Sequence, residues 1–328
     1  MKLIIQIPCY NEETTLPLVF ERMPASIPGI SKIEFQIIDD GSTDRTVEVA
    51  RSLGVQHIVR IPGRNRRWLG RAFKAGVDNA LKNGADIVVN TDGDNQYPSE
   101  KIPLLVAPIV DGAVDIVIGD RDPGSFAEFS LTKRLFQRLG SKTVELLTGE
   151  QVPDAVSGFR AYSRDALLRI HPITNYTYTV DTLMQAHQKG IDVGWVPITP
   201  NRKTRESRLI PNALHKVRKS GLTIVRLATV HSPFRMFAAI SALFALPGLF
   251  LLGRFLWFYL AGAGDGHVQS VVIGGVLLII GVQTFVLGIL GDLLAVNRRL
   301  IEDVLTRLRR VESSGSATHE DESIRRRA

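Results

Sequence analysis

Residues 87–94 read Ile-Val-Val-Asn-Thr-Asp-Gly-Asp, an apolar run that leads into two carboxylates separated by one glycine. The run is short, rich in β-branched residues and followed by turn residues, so it predicts a buried strand. Open α/β sheets bind ligands at the carboxyl ends of their strands, where this pattern places Asp92 and Asp94. Two neighbouring carboxylates repel each other unless a cation lies between them, so the pair predicts a Mg²⁺ or Mn²⁺ site. A polar turn without a ligand is the alternative for such a pair taken alone.

The first two hundred residues alternate short apolar strands with helical patterns. This alternation predicts an α/β fold, with a mainly parallel sheet covered by helices on both faces. The predicted strands are Leu3–Ile7, Glu34–Ile38, His57–Ile61, Ile87–Asn90 and Ile116–Gly119, and the predicted helices include Thr43–Leu53, Leu69–Asn83 and Lys101–Val110.

Polar clusters also follow the first two predicted strands. Residues 8–13 read Pro-Cys-Tyr-Asn-Glu-Glu, and residues 39–44 read Asp-Asp-Gly-Ser-Thr-Asp. With the pair at Asp92 and Asp94, three strand ends should converge on one edge of the sheet. The chain has no G-x-G-x-x-G fingerprint after the first strand and no P-loop lysine motif, which argues against hydride transfer and ATP hydrolysis by those folds. The clusters are better suited to a base, a ribose and a metal-bound diphosphate, which together make a nucleotide-diphosphate donor.

Composition narrows the classes of partner. The net charge is +7, and the single cysteine, Cys9, excludes an internal disulfide framework and a cysteine-based zinc cluster. No nucleic-acid-binding signature accompanies the basic residues, so a membrane surface or an anionic substrate explains them better than nucleic acid.

The second half of the chain contains two apolar runs of membrane-spanning length, Met236–Leu260 and Val271–Val296. The loop between them has no Lys or Arg, whereas Arg235 and Arg298 flank the outer ends, which predicts that both termini are cytoplasmic. The predicted domains are therefore a catalytic domain (1–210), an interfacial amphipathic segment (211–235), a two-span hairpin (236–299), and a basic helix with a disordered tail (300–328). Glycines in the spans permit close helix packing, so a homo-oligomer is compatible with the sequence.

Four motifs occur in an order that resembles family-2 glycosyltransferases of GT-A fold. They are Ile7–Glu12, Asp39–Asp44, Asp92–Pro98 and Asp154–Arg160. The chain is most similar to the polyprenyl-phosphate branch, which includes dolichyl-phosphate mannosyltransferases and bacterial undecaprenyl-phosphate glycosyltransferases. The resemblance covers about residues 1–210, and the two-span tail also resembles that of the bacterial members.

The resemblance implies a role for each matching position. The nucleotide-sugar donor would be bound by Pro8, Tyr10, Glu12, Asp39, Asp40, Asp92 and Gln96. Asp92 and Asp94 would hold the cation, and Asp154, with Asp94, would act at the reacting centre. The acceptor phosphate would be bound by Arg121, Arg134, Arg138, Arg202 and Arg205. The arginines could equally be solvated surface residues.

The implied reaction is an inverting transfer of a hexose from a UDP- or GDP-sugar to undecaprenyl or dolichyl phosphate at the cytoplasmic membrane face. A phosphate monoester is already largely ionised at neutral pH, so Asp154 should position groups rather than abstract a proton. Two other functions remain open: a polysaccharide-extending synthase, and a catalytically silent sensor of sugar nucleotides on the membrane.

Overall fold

The computed structural model describes residues 1–61, 69–121, 145, 152–172, 178–201, 229, 233–262 and 268–325, with side chains up to residue 311. The strands are β1 (Lys2–Cys9), β2 (Lys32–Asp39), β3 (His57–Arg60), β4 (Ile87–Asn90), β5 (Ile116–Asp120), β6 (Arg160–Ser163) and β7 (Val193–Pro197). The helices are α1 (Leu16–Glu21), α2 (Thr46–Ser52), α3 (Leu69–Lys82), α4 (Ile102–Val110), α5 (Arg164–Arg169), α6 (Thr179–Gln188), α7 (Pro233–Leu260) and α8 (Val268–Arg325).

These strands form one mixed sheet in the order β3-β2-β1-β4-β6-β5-β7. The pairs β1–β2, β2–β3, β1–β4 and β5–β7 are parallel, whereas β6 runs antiparallel to both β4 and β5. The predicted α/β fold with a mainly parallel sheet is confirmed. All five predicted strands are present, each within two residues of its expected bounds at either end.

Both faces of the sheet are buried under helices, as predicted. Leu3, Ile5 and Ile7 of β1 pack into one core cluster with residues of α1 and α4. Ile4, on the opposite face, packs into a second cluster with residues of α3, α5 and α6. A strand that is buried on both faces must be apolar at successive positions, which explains the unbroken run at the start of the chain.

Helix α2 begins at Thr46, three residues later than the predicted start at Thr43. The intervening residues are used by the neighbouring loop instead. The backbone N–H of Thr43 donates to Asn11 Oδ1 (2.7 Å), and Ser42 Oγ accepts the N–H of Asn11 (3.0 Å). A tertiary contact therefore replaces the helix cap that the local sequence favours.

Two helices are long and apolar enough to cross a membrane, Pro233–Leu260 and Val268–Val311. They pack closely through small residues: Ser241 Oγ donates to the carbonyl oxygen of Gly281 (2.7 Å), and a Cβ added to Gly248 would lie 2.9 Å from the carbonyl oxygen of Gly274. From the sequence, glycines in the spans could have packed one copy of the chain against another. In the structure, Gly274 and Gly281 instead pack α8 against α7 of the same chain.

The chain divides into two compact units, and the first is discontinuous in sequence. It comprises Met1–Arg218 together with Glu302–Ala328, and the second comprises Lys219–Ile301. The sequence instead placed residues 300–328 outside the catalytic domain. The backbone of α8 stays helical to Arg325, whereas composition predicts a disordered tail from Ser313. Helix formation is unfavourable mainly at its first turn, and a helix that is already formed can be extended without that cost. A prediction from composition alone does not include this effect.

One face of the last part of α8 packs on the rest of the first unit, and we call Glu302, Thr306, Arg309 and Arg310 its docking face. Glu302 pairs with Lys189 at 2.8 Å, and Thr306 Oγ1 lies 3.0 Å from the imidazole of His171. Arg309 pairs with Asp78 and also donates to the carbonyl oxygens of Leu167 and Ile170 at the end of α5; Arg310 pairs with Asp165.

Candidate active site

The carboxyl ends of three adjacent parallel strands form one edge of the sheet. β1 lies between β2 and β4, with Cys9 opposite Asp39 and Gln6 opposite Asn90. The loops that follow these strands therefore meet, as the sequence predicted. This edge holds the predicted donor-binding and cation-binding residues between Pro8 and Gln96.

The loops after β1 and β2 are interlocked and form one wall of the site. The backbone N–H of Glu12 donates to Thr46 Oγ1 (2.7 Å), and the carboxylate of Glu12 accepts from Thr15 Oγ1 (2.6 Å). Asp39 is 5% exposed, and its Oδ1 accepts the backbone N–H of Ser42 (2.9 Å), so this carboxylate closes its own turn. Pro8, Tyr10 and Asp40, the other predicted donor-binding residues of this wall, are half-buried.

The turn that carries Asp92 and Asp94 approaches the end of β1 so closely that a side chain at Gly93 would be crowded. A Cβ on Gly93 would lie 3.0 Å from Cys9 Sγ and 3.4 Å from the carbonyl oxygen of Pro8. The next turn residue, Asn95, has a positive φ of 58°, which Asn tolerates better than most residues. The glycine therefore fixes the pair beside the wall formed by the first strand.

Gln96 orients the second carboxylate of the pair. Its backbone N–H donates to Asp94 Oδ1 (3.1 Å), and its side-chain amide donates to Asp94 Oδ2 (2.6 Å). The sequence predicted Gln96 as a donor-binding residue; in the structure its amide contacts the carboxylate expected to bind the cation.

The electrostatics of Asp92 fit a cation. Burial, together with the nearby Asp94 and Glu12, raises the pKa of Asp92 to about 7, although Arg121 opposes the increase. A carboxylate that is reluctant to ionise beside another carboxylate gains most from a divalent ion, and oxygen ligands are those that Mg²⁺ and Mn²⁺ prefer. Within the described ranges no cluster of three or more His, Cys, Asp or Glu side chains could hold a metal by itself. Oxygen atoms of a substrate could complete the coordination at Asp92 and Asp94.

Asp154 and Arg121 form a buried ion pair next to this turn. Arg121 Nε and Nη2 donate to the two oxygens of Asp154, at 2.6 and 3.0 Å, and Asp154 is fully buried. Asp154 Oδ1 also accepts the backbone N–H groups of Val156 and Ser157. Its carboxylate is thus saturated by arginine and backbone, which suits positioning rather than proton abstraction.

Tyr97 links the ion pair to the turn that carries the cation ligands. Its hydroxyl accepts the N–H of Gly158 (2.9 Å) and lies 3.5 Å from Arg121 Nη1, while its ring stacks on Phe159. The Arg121 guanidinium lies over the same ring, 5.9 Å from its centroid. The acidic neighbours Tyr97 and Asp154 outweigh the effect of burial and raise the pKa of Arg121 above its already high value, so it is a permanent cation.

Sequence reasoning missed the buried polar residues beneath the site. Asn90 Nδ2 donates to the carbonyl oxygen of Gly158 (3.0 Å) and to the hydroxyl of Tyr178 (2.7 Å), while Gln6 donates to Asn90 Oδ1. The fully buried Arg160 donates to the carbonyl oxygens of Ala155 and Ser157. The available signal was a polar residue, Asn90, at the end of an otherwise apolar strand.

The segment after β7 returns to the cation turn. The backbone N–H of Asn201 donates to the carbonyl oxygen of Gln96 (3.0 Å), and its side chain donates to that of Asn95 (3.1 Å). Arg202 follows Asn201 directly in sequence. Arg134, Arg138, Arg202 and Arg205, predicted to bind the acceptor phosphate, lie outside the described residues, as does nearly all of the predicted amphipathic segment.

This architecture is that of the GT-A glycosyltransferases, and the solved structures that it resembles agree. Glucosyl-3-phosphoglycerate synthase from Mycobacterium tuberculosis, solved with Mn²⁺, uridine diphosphate and glucosyl-3-phosphoglycerate, superposes with a TM-score of 0.54. That match has 20% sequence identity and covers 69% of this chain and 78% of the other, so it shows the fold alone.

The chain belongs to glycosyl transferase family 2, whose model matches residues 4–170, and it is therefore a glycosyltransferase. It is 28% identical to an undecaprenyl-phosphate 4-deoxy-4-formamido-L-arabinose transferase of Pectobacterium atrosepticum, over 93% of this chain and 90% of that protein. It is also 28% identical to the polyprenol monophosphomannose synthase of Mycolicibacterium smegmatis, over 67% of this chain and 86% of the relative.

Proposed function

We propose that this protein transfers a hexose from a nucleotide-diphosphate sugar to a polyprenyl phosphate, with a divalent cation, at the cytoplasmic face of a membrane. The observation that carries the proposal is the placement of a largely buried arginine, Arg121, close enough to Asp92 of the acidic pair to lower the pKa of that carboxyl. Such a site offers a cation for one phosphate group and a guanidinium for another.

The donor would lie along the edge formed by β2, β1 and β4. Tyr10, Glu12 and Asp40 would contact the nucleoside, and Asp92 and Asp94 would hold Mg²⁺ or Mn²⁺ against the diphosphate. A divalent ion at this position would supply charge stabilisation for the leaving diphosphate. Gln96 keeps the Asp94 carboxylate in one orientation through two hydrogen bonds, which reduces the ordering needed on donor binding.

The acceptor phosphate would be bound by Arg121. Arg202 and Arg205, which follow Asn201 in the sequence, would also bind it. Arginine suits this role because its planar guanidinium recognises phosphate oxygens in pairs. The second pKa of a phosphate monoester is about 6, so the nucleophile needs no strong base at neutral pH. Asp154 then has the task of orienting Arg121, which agrees with its complete burial.

The lipid nature of the acceptor is supported by the two apolar helices and by the names of the relatives. A polyprenyl tail stays in the bilayer, so an enzyme that uses it must work at the membrane surface. The absence of Lys and Arg between the spans supports cytoplasmic termini by the positive-inside rule.

The test is product formation by the purified full-length protein in lipid nanodiscs. Radiolabelled UDP- and GDP-sugars are supplied with Mn²⁺ and either undecaprenyl phosphate or the soluble phosphate 3-phosphoglycerate. We expect a sugar-lipid with the first acceptor and none with the second, with loss on chelation of the metal. Asp92→Asn should lower turnover by about 100-fold, and Asp111→Asn, an exposed aspartate on α4's end, should leave it unchanged.

Each alternative has its own signature in the same assay. A growing sugar polymer would identify a polysaccharide-extending synthase instead. Binding of the labelled donor without any transfer would identify a sensor.

A further inference from the structure

An exposed apolar stripe follows the last part of α8, on the side away from its docking face. The stripe consists of Leu300 (59% exposed), Ile301 (61%), Val304 (56%), Leu305 (43%), Leu308 (53%) and Val311 (71%). The opposite side of the helix carries Glu302, Thr306 and Arg309, which contact Lys189, His171 and Asp78 of the first unit. The stripe is therefore the free face of a helix whose other face is already packed.

The spacing of the stripe is that of a coiled-coil seam. Ile301, Val304, Leu308 and Val311 are separated by three, four and three residues, which are the a and d positions of a heptad. Leu305 and Leu300 extend the seam at the flanking e and g positions. The polar Asn297 occupies the preceding d position and is also exposed, so the apolar seam begins at Leu300.

The bilayer cannot cover this stripe if α7 and α8 span it. Helix α8 is continuous from Val268 to Arg325 and has no internal proline. Arg298 and Arg299 mark the end of the apolar span, and at about 1.5 Å per residue Val311 lies roughly 18 Å further along the helix axis. A stripe that runs along a helix leaving the membrane needs a protein partner.

We propose that the partner is a second copy of this chain, bound as a parallel pair of α8 helices. Copies inserted in the same membrane share one orientation, so their stripes lie at the same height and run in the same direction. The six side chains expose on the order of 600 Å² per chain, so pairing two copies would bury roughly 1,200 Å², the lower end of stable interfaces. The seam is only two heptads long, and the common membrane supplies the proximity that such a short seam requires.

The inference is tested by cysteine cross-linking of the full-length protein in membrane vesicles. The only native cysteine, Cys9, is 3% exposed, so the wild type is the control and should give no cross-linked dimer. Val304→Cys and Leu308→Cys, in the seam, should form covalent dimers on mild oxidation. Asp303 is exposed but lies outside the seam, so Asp303→Cys should form at least tenfold less covalent dimer. Equal cross-linking at Asp303 and Leu308, or none at either seam position, would overturn the proposal.

A second measurement separates pairing from folding. The double change Val304→Glu with Leu308→Glu should convert dimers to monomers in nanodiscs, as counted by mass photometry, without a loss in thermal stability of more than a few degrees. Leu104→Glu, the same change at an exposed leucine (46%) of α4, should leave the dimer intact. If the double seam variant stays dimeric, another surface forms the dimer and the proposal is wrong. If lipid-soluble labels react with Leu308→Cys as readily as with Leu287→Cys in the span, lipid covers the stripe and the proposal is also wrong.

Discussion

The Asp154 carboxylate shows how a residue can be essential without touching a reacting atom. It accepts two hydrogen bonds from Arg121 and two from the backbone of its own turn, and it has no exposed surface. Removing its charge would leave a buried guanidinium without its partner. The loss of Asp154 should therefore lower activity in the step that requires Arg121 to be held in place, which is binding of the acceptor phosphate.

We expect Asp154→Asn to lower kcat/KM for the acceptor by about 10- to 100-fold, because an amide cannot hold Arg121 with two charged hydrogen bonds. The loss should be similar at every pH from 6 to 9, since no proton transfer by Asp154 is involved. Steady-state kinetics with varied acceptor would measure it.

A variant at the partner provides the control for this prediction. Arg121→Lys should cause a comparable loss, and the double variant should be little worse than either single one, because both remove the same ion pair. A loss that disappears at high pH, or strictly additive effects, would instead point to Asp154 as a general base.

The sequence predicted the carboxylates of the site better than it predicted the neutral groups that hold them. Asp92 and Asp94 stand in a short motif with a clear chemical reason for two acids, and Asp154 was expected from the family resemblance. Asn90 and Tyr97 act through contacts with Gly158, more than 60 residues later in the chain. No local pattern reveals a hydrogen bond over that separation.

At the scale of the elements, the amino ends of β1, β2 and β3 are joined by one buried carboxylate. Glu34 pairs with Lys2 (2.8 Å), Lys32 (2.6 Å) and His57 (2.7 Å). Burial opposes its ionisation, but the hydrogen bonds from His57, Lys2 and Lys32 outweigh that effect and lower the pKa of Glu34 to about 2. This cluster is at the end of the strands opposite to the site.

A lowered pKa stabilises the fold above the ordinary pKa of a glutamate, and that stability is lost as the pH falls from about 4.5 towards 2. We therefore expect Glu34→Gln to destabilise the protein by about 1–2 kcal/mol at pH 7, and the difference from wild type to shrink below pH 4.5. Thermal unfolding in nanodiscs at a series of pH values would measure both.

Glu100→Gln is the matched control, because Glu100 forms only an exposed pair with Arg22 at 3.7 Å. It should change stability by less than about 0.5 kcal/mol at any pH. If Glu34→Gln changed the free energy of unfolding by as little as Glu100→Gln, the cluster around Glu34 would not stabilise the pairing of the three strands.

The apolar runs identified the first five strands because each is short, β-branched and bounded by turns. The pairing of β6 between β4 and β5 was not predictable in the same way. β6 reads Arg-Ala-Tyr-Ser, with no apolar run, and its fully buried arginine donates to the carbonyl oxygen of Thr179, 19 residues later.

For the whole molecule, the docking face of α8 is an electrostatic attachment. Glu302 is 5% exposed and pairs with Lys189, which also donates to the carbonyl oxygen of Arg169. Burial, Arg309 and Lys189 together lower the pKa of His171 to about 4, so the imidazole facing Thr306 is neutral at physiological pH. The attachment should therefore be insensitive to pH between 6 and 8.

We expect Glu302→Gln to weaken this attachment by about 1–3 kcal/mol, because it leaves the charge of Lys189 unpaired in a largely buried place. The measurable results are a lower unfolding temperature and faster hydrogen exchange in α5 and α6. Asp303→Asn removes the same charge from the next residue, which is exposed, and should change neither. Equal behaviour of the two variants would show that the ion pair does not hold the helix.

The discontinuous first unit has a consequence for how the protein is made. Its first 218 residues leave the ribosome before the hairpin does, and its last part, from Glu302, leaves after it. Until then Lys189 and the carbonyl oxygens at the end of α5 have no α8 to bind. The enzyme domain therefore completes its fold only after the membrane segment has been synthesised, and a gene truncated before the hairpin encodes a domain without its final helix.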